Sequence, residues 1–193
     1  MTKLTEDDIA GLNVALNEAR LLGIELHPAQ RRATVALSLL TLPLVGPPPS
    51  DPRFEMHLFP VGRVAAVLAS RDGEIERMSI HDLEETLSSF GGRPIYGWDF
   101  FGSRDLESRE QLSLDVTLTP DASAQVLHLF QDAANRTLDL WLWFDEATFR
   151  TVDGMDTPIS EIIAGGKRWW DGVFAGDERT RGTGIEPLKG GNR

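Results

Sequence analysis

The sequence predicts an α+β fold, built mainly of antiparallel strands arranged as a β sandwich or a strongly curved sheet, with about three helices. Three observations predict it. Residues 138–144, LDLWLWF, are the most apolar run in the chain. Read as a strand, they place Leu138, Leu140, Leu142 and Phe144 on one face and Asp139, Trp141, Trp143 and Asp145 on the other. A strand with one wet face alternates apolar with polar residues; this one does not, so it belongs in a sheet interior covered on both sides. Second, Leu112, Leu114, Val116 and Leu118 alternate with Ser113, Asp115, Thr117 and Thr119, the pattern of a strand with one buried face. Third, apolar residues at helical spacing occur in separate short stretches between these strand-like runs.

In chain order, Thr5 caps a first helix with Asp8 three residues on, and Ile9, Leu12, Leu16 and Ala19 form its stripe. Gly23 has the place of a C-terminal stop. A short strand over 24–27, a turn at 28–31 and a strand over 34–42 follow. Four prolines in 46–52 remove four backbone donors and predict a stiff loop. Strands are expected over 54–59 and 64–69, then a turn at 71–73 and a short edge at 75–78. Ser79, with Asp82, caps a second helix whose stripe is Ile80, Leu83, Leu87 and Phe90, ended by Gly91 and Gly92. Residues 94–101 read as an aromatic extended segment. After the alternating strand at 112–119 and a Pro120–Asp121 turn, 126–130, 138–144 and 149–152 read as strands. Pro158 opens a short helix that Gly165 and Gly166 should end. Trp169, Trp170, Val173 and Phe174, at helical spacing, should dock on the sheet. The expected organisation is one domain over 1–176 and a polar tail over 177–193.

Features also recur in order. LSLLTLP at 37–43 resembles LSLDVTLTP at 112–120, His57-Leu58-Phe59 resembles His128-Leu129-Phe130, and Gly-Gly-basic tripeptides at 91 and 165 each precede tryptophan. This raises an internal duplication of 34–98 and 108–170 about a pseudo-twofold axis.

The chemistry is weighted toward exclusions. With no cysteine, disulfides, thiolate metal sites and cysteine nucleophiles are out. His27, His57, His81 and His128 sit at no metal-ligand spacing, and no phosphate-cradling or nucleophile-elbow motif occurs. No metal or cofactor is therefore expected. The formal charge of −11 repels phosphate backbones, so nucleic acid is not an expected partner. No basic n-region with an apolar run opens the chain, and no apolar stretch suits a bilayer, so a cytoplasmic, membrane-independent protein is expected.

The distinctive feature is aromatic. Trp98 with Asp99, Trp141, Trp143, Trp169 and Trp170 are the candidate ligand- or partner-binding residues, and no catalytic residue is assigned. The expected function is that of a non-enzymatic, acidic protein-interaction module. Its partner would be a protein, a basic one by charge, or a second copy in a homodimer. The alternative is a small-ligand or carbohydrate-binding module, or a hydrolase, with a tryptophan-lined cleft and carboxylates at its rim. The runs Gly97-Trp98-Asp99-Phe100-Phe101, LDLWLWF and Gly165-Gly166-Lys167-Arg168-Trp169-Trp170-Asp171 look like a family of uncharacterised bacterial proteins, actinobacterial in character. That resemblance covers most of the chain and implies no activity and no site residues. At the level of pattern alone, the opening helix and the strands at 24–26, 34–42 and 54–59 are similar to β-rich immunity proteins of bacterial toxin systems.

Overall fold

The computed structural model describes residues 3–90, 98–102, 111–122 and 124–181. The expected segment at 94–97, the Gly91–Gly92 stop and residues 182–193 lie outside the described residues. Among the described residues, nine antiparallel strands form one open sheet, and three α-helices accompany it. The expected α+β fold is therefore adopted in its single-sheet form.

The first helix, α1 (Glu6–Ala15), starts as expected: Thr5 N donates to Asp8 Oδ2 at 2.9 Å, and Asp8 N donates to Thr5 Oγ1 at 3.1 Å. It stops well before Gly23. The chain turns at Glu18 in the left-handed region (φ 61°) and enters β1 (Arg20–His27), where Gly23 sits at a bulge. Burial explains the change. Leu16 and Ala19 close the helix–strand corner, while Leu21 and Ile24 already face the core.

β2 (Arg32–Ser38) pairs with β1 on one side and with β3 (Arg53–Ser70) on the other. Its expected extension through 39–42 leaves the sheet: Leu39 N donates to Pro52 O, and Leu42 N donates to Gly165 O. The two strands expected at 54–59 and 64–69 are halves of β3, which passes through a cis Phe59–Pro60 bond and a register shift between Val61 and Arg63. Gly62 is required there, because a Cβ would lie 1.7 Å from the carbonyl oxygen of Ala122.

β4 (Ile75–Glu76) is the expected short edge. A capped one-turn helix at Ile80–Asp82 leads into α2 (Leu83–Ser88), which buries Leu83 and Leu87. β5 (Trp98–Gly102) follows, then β6 (Leu114–Thr117), shorter than its alternating pattern suggested. β7 (Gln125–Asp132) and β8 (Arg136–Thr151) form a hairpin, and β8 absorbs the strand expected separately at 149–152. β9 (Asp156–Thr157) pairs with the end of β8.

The sheet is organised on the β3–β8 ribbon, paired from Phe54↔Thr151 to Ser70↔Arg136. The outer side of β3 carries β2, then β6 and β4; that of β8 carries β7, then β9. Residues 138–144 thus lie between β3 and β7, an interior position. This topology also answers the duplication. Residues 54–59 and 64–69 continue one strand, whereas their counterparts, 126–130 and 138–144, are antiparallel neighbours. The similar peptides therefore do not carry a repeated pairing.

α3 (Ile159–Ala175) is one helix running through Gly165 and Gly166 to a left-handed cap at Gly176. The glycines do not stop it because they serve close approach instead. A Cβ on Gly166 would lie 2.5 Å from Ala15 Cα of α1, and one on Gly165 would lie 2.2 Å from Thr41 Oγ1. The expected tail is also tied down at its start, where a one-turn helix at Glu178–Thr180 buries Thr180 against the Gly172 side of α3.

The main core gathers Leu12 and Leu16 of α1, Leu83 and Leu87 of α2 and Ile162 of α3 with the leucine face of β8. At the β5 edge, Asn13 acts as a substitute strand. Its Oδ1 accepts from Phe100 N at 2.8 Å, and its Nδ2 donates to Phe100 O at 3.2 Å. Occupying edge groups in this way blocks pairing with another chain.

Candidate interaction surface

The structure separates the candidate tryptophans. Trp141 and Trp143 face away from the helices, in a second apolar cluster with Ala65, Val67 and Val126. They are 3% and 6% exposed, so both sides of 138–144 are covered, as expected. Among the described residues no helix contributes to this cluster; Ala69, Ile75, Phe101 and Leu112 pack against it. The His128 ring stacks on Trp141 at 4.9 Å, with an interplanar angle of 4°. His128 Nε2 is 2.7 Å from Asp139 Oδ1. The Arg63 guanidinium lies 4.6 Å from the Trp143 ring centroid and makes a two-pronged bond to Asp115, at 2.7 and 2.9 Å. A cation over an indole face is favourable, and the fork to the carboxylate holds it there.

Trp169 belongs to a third cluster, with Leu42 and Val173, and is 2% exposed. Trp170, half-buried, lies 6.5 Å from Phe174. The indole N–H groups of Trp169 and Trp170 meet no acceptor among the described residues. Asp99 is exposed on β5 and accepts from Asn13 Nδ2; the backbone of Trp98 pairs with Leu129. Trp141 and Trp143 therefore lie in a different cluster from Trp169 and Trp170. Among the expected rim acids, Asp145 accepts from Ala124 N, and Asp171 pairs with Lys167.

Two recesses formed by described residues are lined without tryptophan. One of about 120 Å³ on the polar half of the sheet is lined by Arg32, His57, Thr148 and Arg150. Its groups are largely occupied: Thr34 Oγ1 is 3.2 Å from His57 Nδ1, Glu55 is 3.2 Å from His57 Nε2, and Arg150 bonds Asp156 at 2.6 Å. A shallower depression lies at Arg20, Ser38, Asp51 and Arg53.

Acids with lowered pKa do not converge either. The side-chain hydrogen bond from Arg53 takes Asp51 down to about 2, the Ser70 hydroxyl lowers Asp72, the Ser79 hydroxyl lowers Asp82, and Arg179 lowers Asp177. Each partner is two or three residues away, so these are turn and cap interactions. Among the described residues, no three His, Cys, Asp or Glu side chains gather as a metal would require, and no helix is long and apolar enough to cross a membrane.

The most exposed apolar side chains lie on α3 and on the chain that runs beside it. The chain after β2 is pinned to that helix at three points: Leu42 N to Gly165 O at 3.1 Å, Arg168 Nε to Leu42 O at 2.7 Å, and Arg179 Nη1 to Gly46 O at 3.3 Å. Between the pins stand Leu44 and Val45, 79% and 84% exposed; Phe174 on the helix is 77% exposed. These are the three most exposed large hydrophobic residues described. Sequence reasoning placed Trp170 and Phe174 against the sheet and passed over Leu44 and Val45. The available signal was two large apolar residues leading into the proline loop, where no core can take them. The chain matches no protein-family model, no curated protein and no solved structure. Neither resemblance noted in the sequence gains support, and the functional argument rests on the surface itself.

Proposed function

We propose that this chain is a protein-interaction module that docks through the loop at 42–46, which is pinned beside α3. The observation that carries the reading is that Leu44 and Val45 are held fully out of the core between hydrogen bonds from Arg168 to Leu42 and from Arg179 to Gly46. Scattered apolar residues are normal on any surface, but adjacent large ones held exposed by tertiary hydrogen bonds suit an interaction site.

The small-ligand alternative draws less support. Trp141 and Trp143 on β8 and Trp169 on α3 are nearly sealed, and neither of the two recesses described above is lined by a tryptophan. The test is a photo-crosslinking amino acid at Leu44 in the full chain, exposed to lysate of the source organism. Capture of a protein, this chain included, well above that from the same probe at exposed Glu74 is expected. Equal capture at both positions overturns the proposal.

A further inference from the structure

We infer that the partner meets this loop with a groove lined by tryptophan or tyrosine, which takes Pro47, Pro48 and Pro49 as a polyproline II ridge. The inference rests on the interaction-module reading and names the chemistry of its partner. Proline stereochemistry carries it. The ring of a proline fixes φ at about −65°, and a residue followed by proline is driven out of the helical region. Pro47 and Pro48 are under both constraints, which leaves polyproline II to each of them. Such a segment makes no hydrogen bonds of its own. Among the described residues no donor reaches the carbonyls of Pro47, Pro48 or Pro49. Pro47 and Pro49 are exposed, and Pro48 is half-buried.

The segment is held at both ends. Gly46, at φ 99°, turns the chain into it, and the Gly46 carbonyl accepts from Arg179 Nη1 at 3.3 Å. Beyond the prolines, Arg53 grips Asp51 through Nε at 2.8 Å and Nη2 at 2.6 Å, and Leu39 N donates to Pro52 O at 2.9 Å. Rings and anchors have already removed the freedom that binding would otherwise have to remove. The chemistry of the segment then selects its complement. Strand pairing needs backbone N–H donors, which three successive prolines lack. An aliphatic groove would seat the rings but leave their carbonyls without donors once water is excluded. A charged groove finds no charged side chain between residues 42 and 50. Indole and phenol groups supply both halves: a flat apolar ring that packs on proline, and an N–H or O–H that donates to a prolyl carbonyl.

The experiment places a photo-crosslinking amino acid at exposed Ser50, directly after the prolines, in the full chain, beside the probes at Leu44 and Glu74. In lysate of the source organism, the Ser50 probe is expected to capture the same polypeptide as the Leu44 probe. Mass spectrometry is expected to map the cross-link to a peptide that holds tryptophan or tyrosine. Replacing Pro47, Pro48 and Pro49 together by alanine is expected to lower capture at both positions by about tenfold, because the loop regains freedom and loses its rings. An unchanged thermal midpoint establishes that this variant folds. Should its midpoint fall, Pro49→Ala alone carries the test, with a loss of about twofold. Four results each overturn the inference: capture at Ser50 no greater than at Glu74, capture undiminished by the proline substitutions, a cross-linked peptide without either aromatic residue, or a second copy of this chain as the captured protein. Where Leu44 still captures a protein, the interaction module stands and only the proline-binding groove is lost. Equal capture at Leu44, Ser50 and Glu74 removes both.

Discussion

The two tryptophan pairs show how backbone period decides the fate of a side chain. Trp141 and Trp143 are two residues apart in a strand, so they share one face and are buried alike, at 3% and 6%. Trp169 and Trp170 are adjacent in a helix, about 100° apart around its axis. One is 2% exposed against Leu42 and Val173; the other turns toward Phe174 and the surface. The strand pair is shielded by neighbouring side chains, His128 and Arg63 among them. Only the helical pair divides its burial between core and surface, and so only it can serve both.

The comparison breaks first at its buried members. Trp141→Ala and Trp169→Ala should each lose about 3–5 kcal/mol in chemical denaturation, through lost burial and the cavity left behind. Trp170→Ala should lose under about 1.5 kcal/mol, because part of its ring is already in water. Equal losses at 169 and 170 would show that the helix does not divide the pair. Next in size is Gly166→Ala, which pushes a methyl against the α1 backbone at Ala15 and unseats the helix that carries Trp169. About 1–3 kcal/mol is expected, despite the better helix propensity of alanine. A stabilised variant would mean that the α1–α3 contact is looser than described.

The strand pair is sharpened by a double-mutant cycle between Arg63 and Trp143. Coupling of about 0.5–1 kcal/mol is expected, since the guanidinium is partly solvated. Zero coupling would assign the shielding of Trp143 to its apolar neighbours alone.

The smallest effect lies far from either pair. Asp51 should titrate by NMR near 2, and Arg53→Ala should return it toward 3.8. Because the folded value is depressed, whatever this pair contributes is present above the unfolded value and fades as pH falls from about 3.8 toward 2. An unshifted midpoint in the wild type would remove the interaction.

Local signals were legible where one interaction decides the outcome. The Thr5–Asp8 and Ser79–Asp82 capping boxes form as their spacing indicates, and the two greasy sides of 138–144 place that strand in the interior. Signals with two physical meanings were misread. Glycine ends helices, and it also admits a neighbouring backbone; Gly165 and Gly166 do the second. Gly62 has the same role inside β3, where Pro60 and the glycine resemble a break between strands. Among the candidate residues, the tryptophans were identified by type, but type does not report direction. Leu44 and Val45 were missed because their exposure depends on hydrogen bonds to Gly165, Arg168 and Arg179, more than a hundred residues away in sequence.

The sequence by itself determined the antiparallel α+β character, the interior strand, the caps and the surplus of negative charge, because each follows from nearest neighbours or from composition. The tertiary structure alone decided that 53–70 is one strand, that α3 runs through its glycines, and that Leu44, Val45 and Phe174 are left exposed. Those outcomes depend on which backbones approach one another, and a chain read one window at a time does not contain that distance.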